Sequence, residues 1–262
     1  INWVRKFPIR FNVSVNNNGL KSTGRYQGWV SAYLDNPLGL SDVLGVTYNR
    51  DLHFTDEYGS YSIGGYYSVP VKNFQFSLSA SYYDYYQHLD IGNDSYEYSG
   101  HSFNANAEAS YTFHRTSKSK SWVSLGTYAT SSDNYFDDIK LDIQSRRMGG
   151  FEAALGHRQY IGNAVLTGEL RARQGAEVWG ARRAPEEESD TGTARPFILK
   201  LNAYGYVPFT AGPLPLASSG GPRGRVSPDP RVSPGYFIHR RRDTLRGFSR
   251  DNRCLIPFRH CA

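Results

Sequence analysis

Hydrophobicity alternates with a period of two along most of this chain. From Ile9 to Asn16, the residues Ile9, Phe11, Val13 and Val15 interleave with Arg10, Asn12, Ser14 and Asn16. Successive side chains of a strand point to opposite faces, whereas a helix needs a period of 3.6. The stretch therefore predicts a strand with one apolar and one polar face. The pattern returns with Tyr26, Val30, Ala32 and Leu34, with Leu44, Val46 and Tyr48, and with Tyr61, Ile63, Tyr67 and Val69. It continues in Phe74–Tyr82, Phe103–Tyr111 and Val123–Ala129, then near 148–156, near 164–172 and over Phe197–Val207. The segments between carry turn chemistry, with Asn and Gly at Asn17–Gly19 and Pro and Gly in Asn36–Asp42. Further loops are expected near Thr55–Tyr58, Pro70–Asn73, Gln87–Glu97, His114–Lys120, Ser131–Asp138, Gln159–Asn163 and Gln174–Ala194.

About ten strands of roughly 9–13 residues result, long enough when tilted to cross a bilayer core. Soluble sandwiches use strands nearer five or six residues. Alternation alone does not say whether the apolar faces meet in a core or face lipid. Strand length, the long–short loop asymmetry and the Tyr clusters at Tyr66–Tyr67, Tyr82–Tyr86 and Tyr96–Tyr98 favour the lipid-facing form. Composition agrees: 20 Tyr, 14 Phe, 4 Trp and 26 Gly stand against one Met and 2 Cys. That profile suits an all-β protein and outer-membrane barrels in particular. No apolar run approaches the roughly 18 residues of a spanning helix. Lipid offers no hydrogen-bond partners, so a spanning sheet has to close on itself.

The net charge of +6 is unevenly placed. From Ser218 onward there are ten Arg and three Asp, a contribution of +7, which leaves −1 for everything before it. A nucleic-acid footprint over the body is not expected. Cys254 and Cys261 both lie near the end and make no disulfide framework. The seven histidines are scattered without metal-ligand spacing, and no Gly-x-Ser-x-Gly elbow is present. Glu186–Glu188 reads as a charged surface loop and Arg240–Arg242 as a solvated tail. The expectation is no enzyme, no metal and no cofactor.

Two segments carry a resemblance. Asn16-Asn17-Asn18-Gly19-Leu20-Lys21-Ser22-Thr23-Gly24-Arg25-Tyr26-Gln27-Gly28 resembles a first barrel hairpin, and Asp35-Asn36-Pro37-Leu38-Gly39-Leu40-Ser41-Asp42 the turn after it. Both resemble the haemolysin secretion/activation proteins of the ShlB/FhaC/HecB type, the outer-membrane transporters of two-partner secretion. Asp243-Thr244-Leu245-Arg246-Gly247-Phe248 is similar to that family's Val-Arg-Gly-Phe/Tyr motif, with Leu245 in place of Val. The resemblance covers most of residues 1–213 and a patch near 243–252.

It implies an antiparallel transmembrane β-barrel, sixteen-stranded in the family, preceded by two periplasmic POTRA domains and a plug helix. It implies location in the bacterial outer membrane, a secreted exoprotein as partner, contact with outer-membrane lipid and no nucleic acid. By the same resemblance the first strand rises from the periplasm, so Asn36–Asp42 is periplasmic and the long loops are external. Arg246 would anchor a lumen loop to a carboxylate on a later strand, with Gly247 allowing close approach and Phe248 acting as a wedge. Polar residues such as Arg10, Asn12, Arg25, Asn104, Glu108, Lys200 and Asn202 would line the lumen.

Residues 1–213 are thus expected to hold strands one to ten of such a barrel. Residues 214–262 read as a degenerate Pro/Arg-rich segment keeping a remnant of the loop motif. Pro213, Pro215, Pro222, Pro228, Pro230 and Pro234 argue against an eleventh strand beginning near Leu214, and a disrupted reading frame would explain the text. The chain begins at Ile1 inside strand-like sequence, as a fragment would, with a signal peptide absent or removed. The expected function is translocation of a large haemolysin, adhesin or contact-dependent toxin by an incomplete copy, with the missing parts arguing against transport by this chain alone. A small pore or adhesin-like barrel without a partner, and a soluble β-rich binding module, stay open as alternatives.

Overall fold

In the computed structural model the alternating segments pair with one another in chain order. The structure describes residues 8–17, 19, 24–53, 57–183, 195–211, 214–227, 244–247 and 254–257. For residues 91, 210, 211, 214–216, 244–247 and 254–257 only the backbone is described. The long strands are β1 (Ile9–Asn16), β2 (Gln27–Asp35), β3 (Val43–Asp51), β4 (Tyr58–Val71), β5 (Phe74–Ile91), β6 (Asp94–Arg115) and β7 (Ser119–Phe136). After a two-residue β8 (Ile139–Lys140) and a 3-10 turn at Asp142–Gln144 come β9 (Arg146–Ile161), β10 (Ala164–Ala176) and β11 (Phe197–Ala211). Short strands follow: β12 (Leu214–Gly220), β13 (Arg223–Val226), β14 (Thr244–Gly247) and β15 (Cys254–Pro257). Among the described residues no helix is long and apolar enough to cross a membrane, which does not bear on crossing by strands.

Ten strands of eight residues or more precede residue 212, as the alternation predicts. Several are longer than expected. Residues 87–97 form no loop: β5 and β6 run through them and meet at a two-residue turn, Gly92–Asn93, with Gly92 at φ +71°. The expected loop from Ser131 likewise shrinks to Asp137–Asp138, at φ +47° and +66°, the sign a tight hairpin turn demands at both central positions. Polar residues there look like loop in sequence. Where a neighbouring strand supplies backbone partners, they stay in the ladder.

The expectation of no strand near Leu214 is corrected. β12 and β13 share one register along β11, from Ala211↔Leu214 and Gly205↔Gly220 to Asn202↔Arg223 and Leu199↔Val226. They are one strand interrupted at Gly221–Pro222. Ala203 N–H donates to the Pro222 carbonyl at 3.0 Å, but proline has no N–H for the return bond of that pair. Bonded and non-bonded pairs alternate, so Pro215 (opposite Thr210) and Pro208 (opposite Ala217) fall where no bond to the facing strand is required. Pro208 turns its nitrogen toward β10, whose ladder with β11 has already ended at Val165↔Tyr206.

The described chain falls into two compact units. The first comprises residues 1–109, 126–151 and 175–195, the second 110–125, 152–174 and 196–262. In the first unit, Phe11, Val13 and Val15 are 72%, 69% and 66% exposed, and Leu44, Val46, Ile63, Phe76 and Leu78 are also exposed, while Ser31, Ser60 and Ser68 are buried. In the second, Leu125, Leu155, Leu166, Leu170 and Leu201 are exposed, while Ser124 and Glu152 are buried. Each unit is inside out by the standard of a water-soluble protein. Each large apolar side chain left in water forgoes about 1.5–3 kcal/mol of burial, a loss that disappears against hydrocarbon.

Candidate functional site: the polar face and the Asp35–Asp42 turn

The turn between β2 and β3 is held by its own side chains. Asn36 N–H donates to the Asp42 carbonyl at 2.6 Å, and the Asn36 side-chain carbonyl accepts from Ser41 N–H at 2.7 Å. Asn36, Gly39 and Ser41 take φ of +61°, +78° and +60°, a region that Asn and Gly tolerate and that costs Ser more. Asp42 is 1% exposed, and its carboxylate accepts from the Leu38 and Leu40 amides at 3.3 Å and from the Tyr67 hydroxyl at 2.9 Å. Burial alone would push the Asp42 pKa up. The Tyr67 hydroxyl and the backbone amides outweigh it and hold the carboxyl below the usual carboxylate value. Asp35 pairs with Arg10 across the hairpin at 2.6 Å, and that guanidinium lies 5.4 Å over the Tyr33 ring. Pro37, Leu38 and Leu40 stay exposed. The arrangement is a structural clasp joining β2, β3 and β4.

The polar face of the first unit also carries hydroxyl and amide contacts and buried Asp51, whose carboxylate accepts from the Ser60 amide at 2.7 Å. Ser31 and Thr47 share a hydroxyl contact at 3.2 Å, and Thr130 donates to Asn104 at 3.1 Å. The charged cluster that sequence reasoning missed here is Asp133, with Lys140 at 2.7 Å, His101 at 3.6 Å and Arg147 at 3.9 Å. Beside it runs a cross-strand line of rings: Tyr61–Tyr82 and Tyr82–His101 at 6.1 Å, then His101–Tyr135 at 5.7 Å.

The second unit concentrates charge on its polar face. Buried Glu152 on β9 takes Arg171 and Arg173 of β10, both at 2.8 Å, and Arg171 also meets Glu169 at 3.2 Å. Arg171 stands directly opposite Lys200 of β11, and Lys200 opposite Arg225 of β13. On β9, Gly156 leaves room for the Trp122 ring, which a Cβ there would meet at 2.1 Å. Arg171 and Arg173 could have been found from their i, i+2 spacing opposite Leu170 and Ala172. Glu152 carries no such signal, and its significance comes only from pairing.

The expected lumen-facing residues fare unevenly. Arg10, Asn12, Lys200 and Asn202 lie on the polar faces of paired strands. Arg25 does not, because β2 begins at Gln27 and Arg25 precedes it. Arg246 and Gly247 lie on β14, where Ala217↔Arg246 and Leu216↔Gly247 pair with β12. Phe248, Glu186–Glu188 and Arg240–Arg242 lie outside the described residues.

Residues 1–255 match the family described as Haemolysin secretion/activation protein ShlB/FhaC/HecB. The chain is 29% identical over 210 residues to "Outer membrane transporter CdiB-2" of Burkholderia pseudomallei (strain 1026b), covering 80% of this chain and 36% of that protein. It is 30% identical over 183 residues to "Hemolysin transporter protein HpmB" of Proteus mirabilis, covering 69% and 32%. Among solved structures, CdiB from Escherichia coli shares the fold with a TM-score of 0.80 at 23% identity, covering 87% of this chain and 42% of that one. CdiB from Acinetobacter baumannii gives a TM-score of 0.70 at 26% identity, covering 85% and 39%. The chain thus spans about a third of the length of the curated relatives it matches. With residues 1–255 matched and an all-β sheet whose large apolar side chains are exposed, the chain belongs to the ShlB/FhaC/HecB family of outer-membrane transporters of two-partner secretion, a family of transporters and not of enzymes.

Proposed function

We propose that this chain supplies part of the wall of an outer-membrane channel through which a large exoprotein of the haemolysin, adhesin or contact-dependent toxin type passes unfolded. The observation that carries the reading is the inverted burial: large apolar residues are exposed while Ser, Asp and Glu are buried. A passing extended chain needs hydrogen-bond partners for its backbone, and a wall of hydroxyls, amides and charges offers them without a fixed binding geometry. Residues 1–213 are the barrel portion in this reading and 214–262 the segment that carries the loop motif. Arg246 is its anchoring cation, Gly247 the close-approach position and Phe248 the wedge. A charge-assisted pair with a carboxylate would hold that loop to the wall. The Asp35–Asp42 clasp closes a hairpin on the periplasmic side.

The test is export. The chain is co-expressed with a candidate exoprotein of the haemolysin type, alone and as a fusion to the periplasmic domains and remaining strands of a relative. Exoprotein in the medium is expected with the fusion, and periplasmic retention with the chain alone. Equal export from cells lacking both would overturn the reading.

A further inference from the structure

The cations on the polar face of the second unit exceed the carboxylates available to them. Arg171, Lys200 and Arg225 stand directly opposite one another on β10, β11 and β13. Like charges placed directly opposite across strands destabilise a sheet. Glu152 takes Arg171 and Arg173 of β10, and Glu169 takes Arg171 again. Lys200 and Arg225 form no ion pair among the described residues. Arg223, opposite Asn202, adds another cation on the same side. Arg171 and Lys200 are half-buried and Arg225 is exposed, and the partly buried end of such a row attracts anions more strongly than the same charges in open water.

Geometry narrows the anion. Neighbouring strands lie about 4.8 Å apart, so the three opposed cations span roughly 10 Å across the sheet. One phosphate-sized ion cannot reach all three. Carboxylates carried along an extended polypeptide can, because alternate side chains on one side of it recur about every 6.6–7 Å.

We propose that the Arg171–Lys200–Arg225 row is a docking track for acidic stretches of a polypeptide. The proposal rests on the channel reading for its biological setting and names the chemistry of the chain that passes. The row's excess charge would hold glutamate- or aspartate-rich segments weakly and release them as salt rises.

The experiment uses the full chain refolded in detergent micelles, with β-content and heat-modifiable migration checked first. A fluorescein-labelled deca-glutamate peptide is titrated by anisotropy at low and at moderate salt, with deca-lysine as control and pyrophosphate as competitor. Binding of deca-glutamate but not deca-lysine is expected, weakening at least tenfold at the higher salt. The double variant Lys200→Gln/Arg225→Gln should bind at least tenfold more weakly, while Lys200→Arg/Arg225→Lys retains affinity. Lys72→Gln, which removes an exposed cation from the turn between β4 and β5, should leave affinity within twofold. Since the neutralising variant relieves like-charge opposition, it is expected to fold. If it does not, the charge-retaining variant against the unmodified chain under salt and competitor decides. No binding by the refolded chain, unchanged binding on neutralisation, or pyrophosphate displacing the peptide at stoichiometric concentration each overturns the proposal. Retained peptide binding with no export by the fusion in the co-expression assay would sink the channel reading and leave this inference standing.

Discussion

The two units expose the same kind of apolar face and differ in their polar one. Both expose Leu, Val and Phe on alternate positions, as Val46 and Leu78 do in the first and Leu170 and Leu201 do in the second. On the polar side the first unit mixes hydroxyls and amides such as Ser31, Thr47 and Asn104 with the largely exposed Arg10–Asp35 pair and the Asp133 cluster of Lys140, His101 and Arg147. The second uses Glu152, Glu169, Arg171, Arg173, Lys200 and Arg225. Lipid imposes one rule on every outward residue, so the outer faces converge. The inner face has no such constraint and is free to differ in charge.

The sharpest way to break this comparison is to place a charge on the shared surface. Val46→Arg in the first unit and Leu201→Arg in the second should each cost about 2–4 kcal/mol of folding stability in lipid vesicles if they sit near the bilayer midplane. The measurement is the urea midpoint of refolding into vesicles, read by heat-modifiable migration. If either substitution is neutral in lipid, that strand's apolar face is not against hydrocarbon and the inside-out description fails for that unit.

The second test separates the inner faces. Glu152→Gln leaves Arg171 and Arg173 without their shared carboxylate beside Lys200 and should cost about 2 kcal/mol, below the usual cost of breaking a fully buried pair because Arg173 is a quarter exposed. Arg10→Gln removes a pair whose side chains are 60% and 41% exposed and should cost about 0.5 kcal/mol or less. Equal losses for the two variants would mean that burial does not distinguish the two faces. High salt should widen the gap, because screening weakens the exposed pair further and the buried one much less.

What could be read from the sequence follows from what alternation encodes. Ten long strands, their order and their greasy side were legible, because period two is a direct statement about which side chains share a face. Strand ends were not: Gln87, Asp90 and Glu97 are polar enough to suggest a loop, and only the neighbouring strands keep them in a ladder. Pro215 and Pro222 argued against β12 and β13, yet one falls at a non-bonded position and the other costs a single return bond. The Asp35–Asp42 turn was found by its distinctive text. The Glu152 cluster was not, since it joins residues on two strands that only register brings together. The role of Arg246, whose mate would lie on another strand, is not a property of its local sequence at all.

The smallest effect belongs to the first unit and to acid pH. Asp42 has a carboxyl held below the usual value of 3.8, because the Tyr67 hydroxyl and the turn amides overcome its burial. A carboxyl with a lowered folded pKa contributes stability that is fully present above the unfolded value. That contribution is lost as pH falls through the lower, folded one, since the unfolded chain then binds more protons. The gap in unfolding midpoint between the unmodified chain and Asp42→Asn should therefore be constant above about pH 5 and close as pH drops below 3.8. Asp42→Asn keeps one side-chain oxygen for the Leu38 and Leu40 amides but loses the oxygen that accepts from the Tyr67 hydroxyl, so its midpoint should be the lower one at neutral pH. A gap that is unchanged at acid pH would show that the carboxylate's charge plays no part in closing this turn. A gap that widens would reverse the sign and mean that Asp42 is protonated more readily in the fold than out of it.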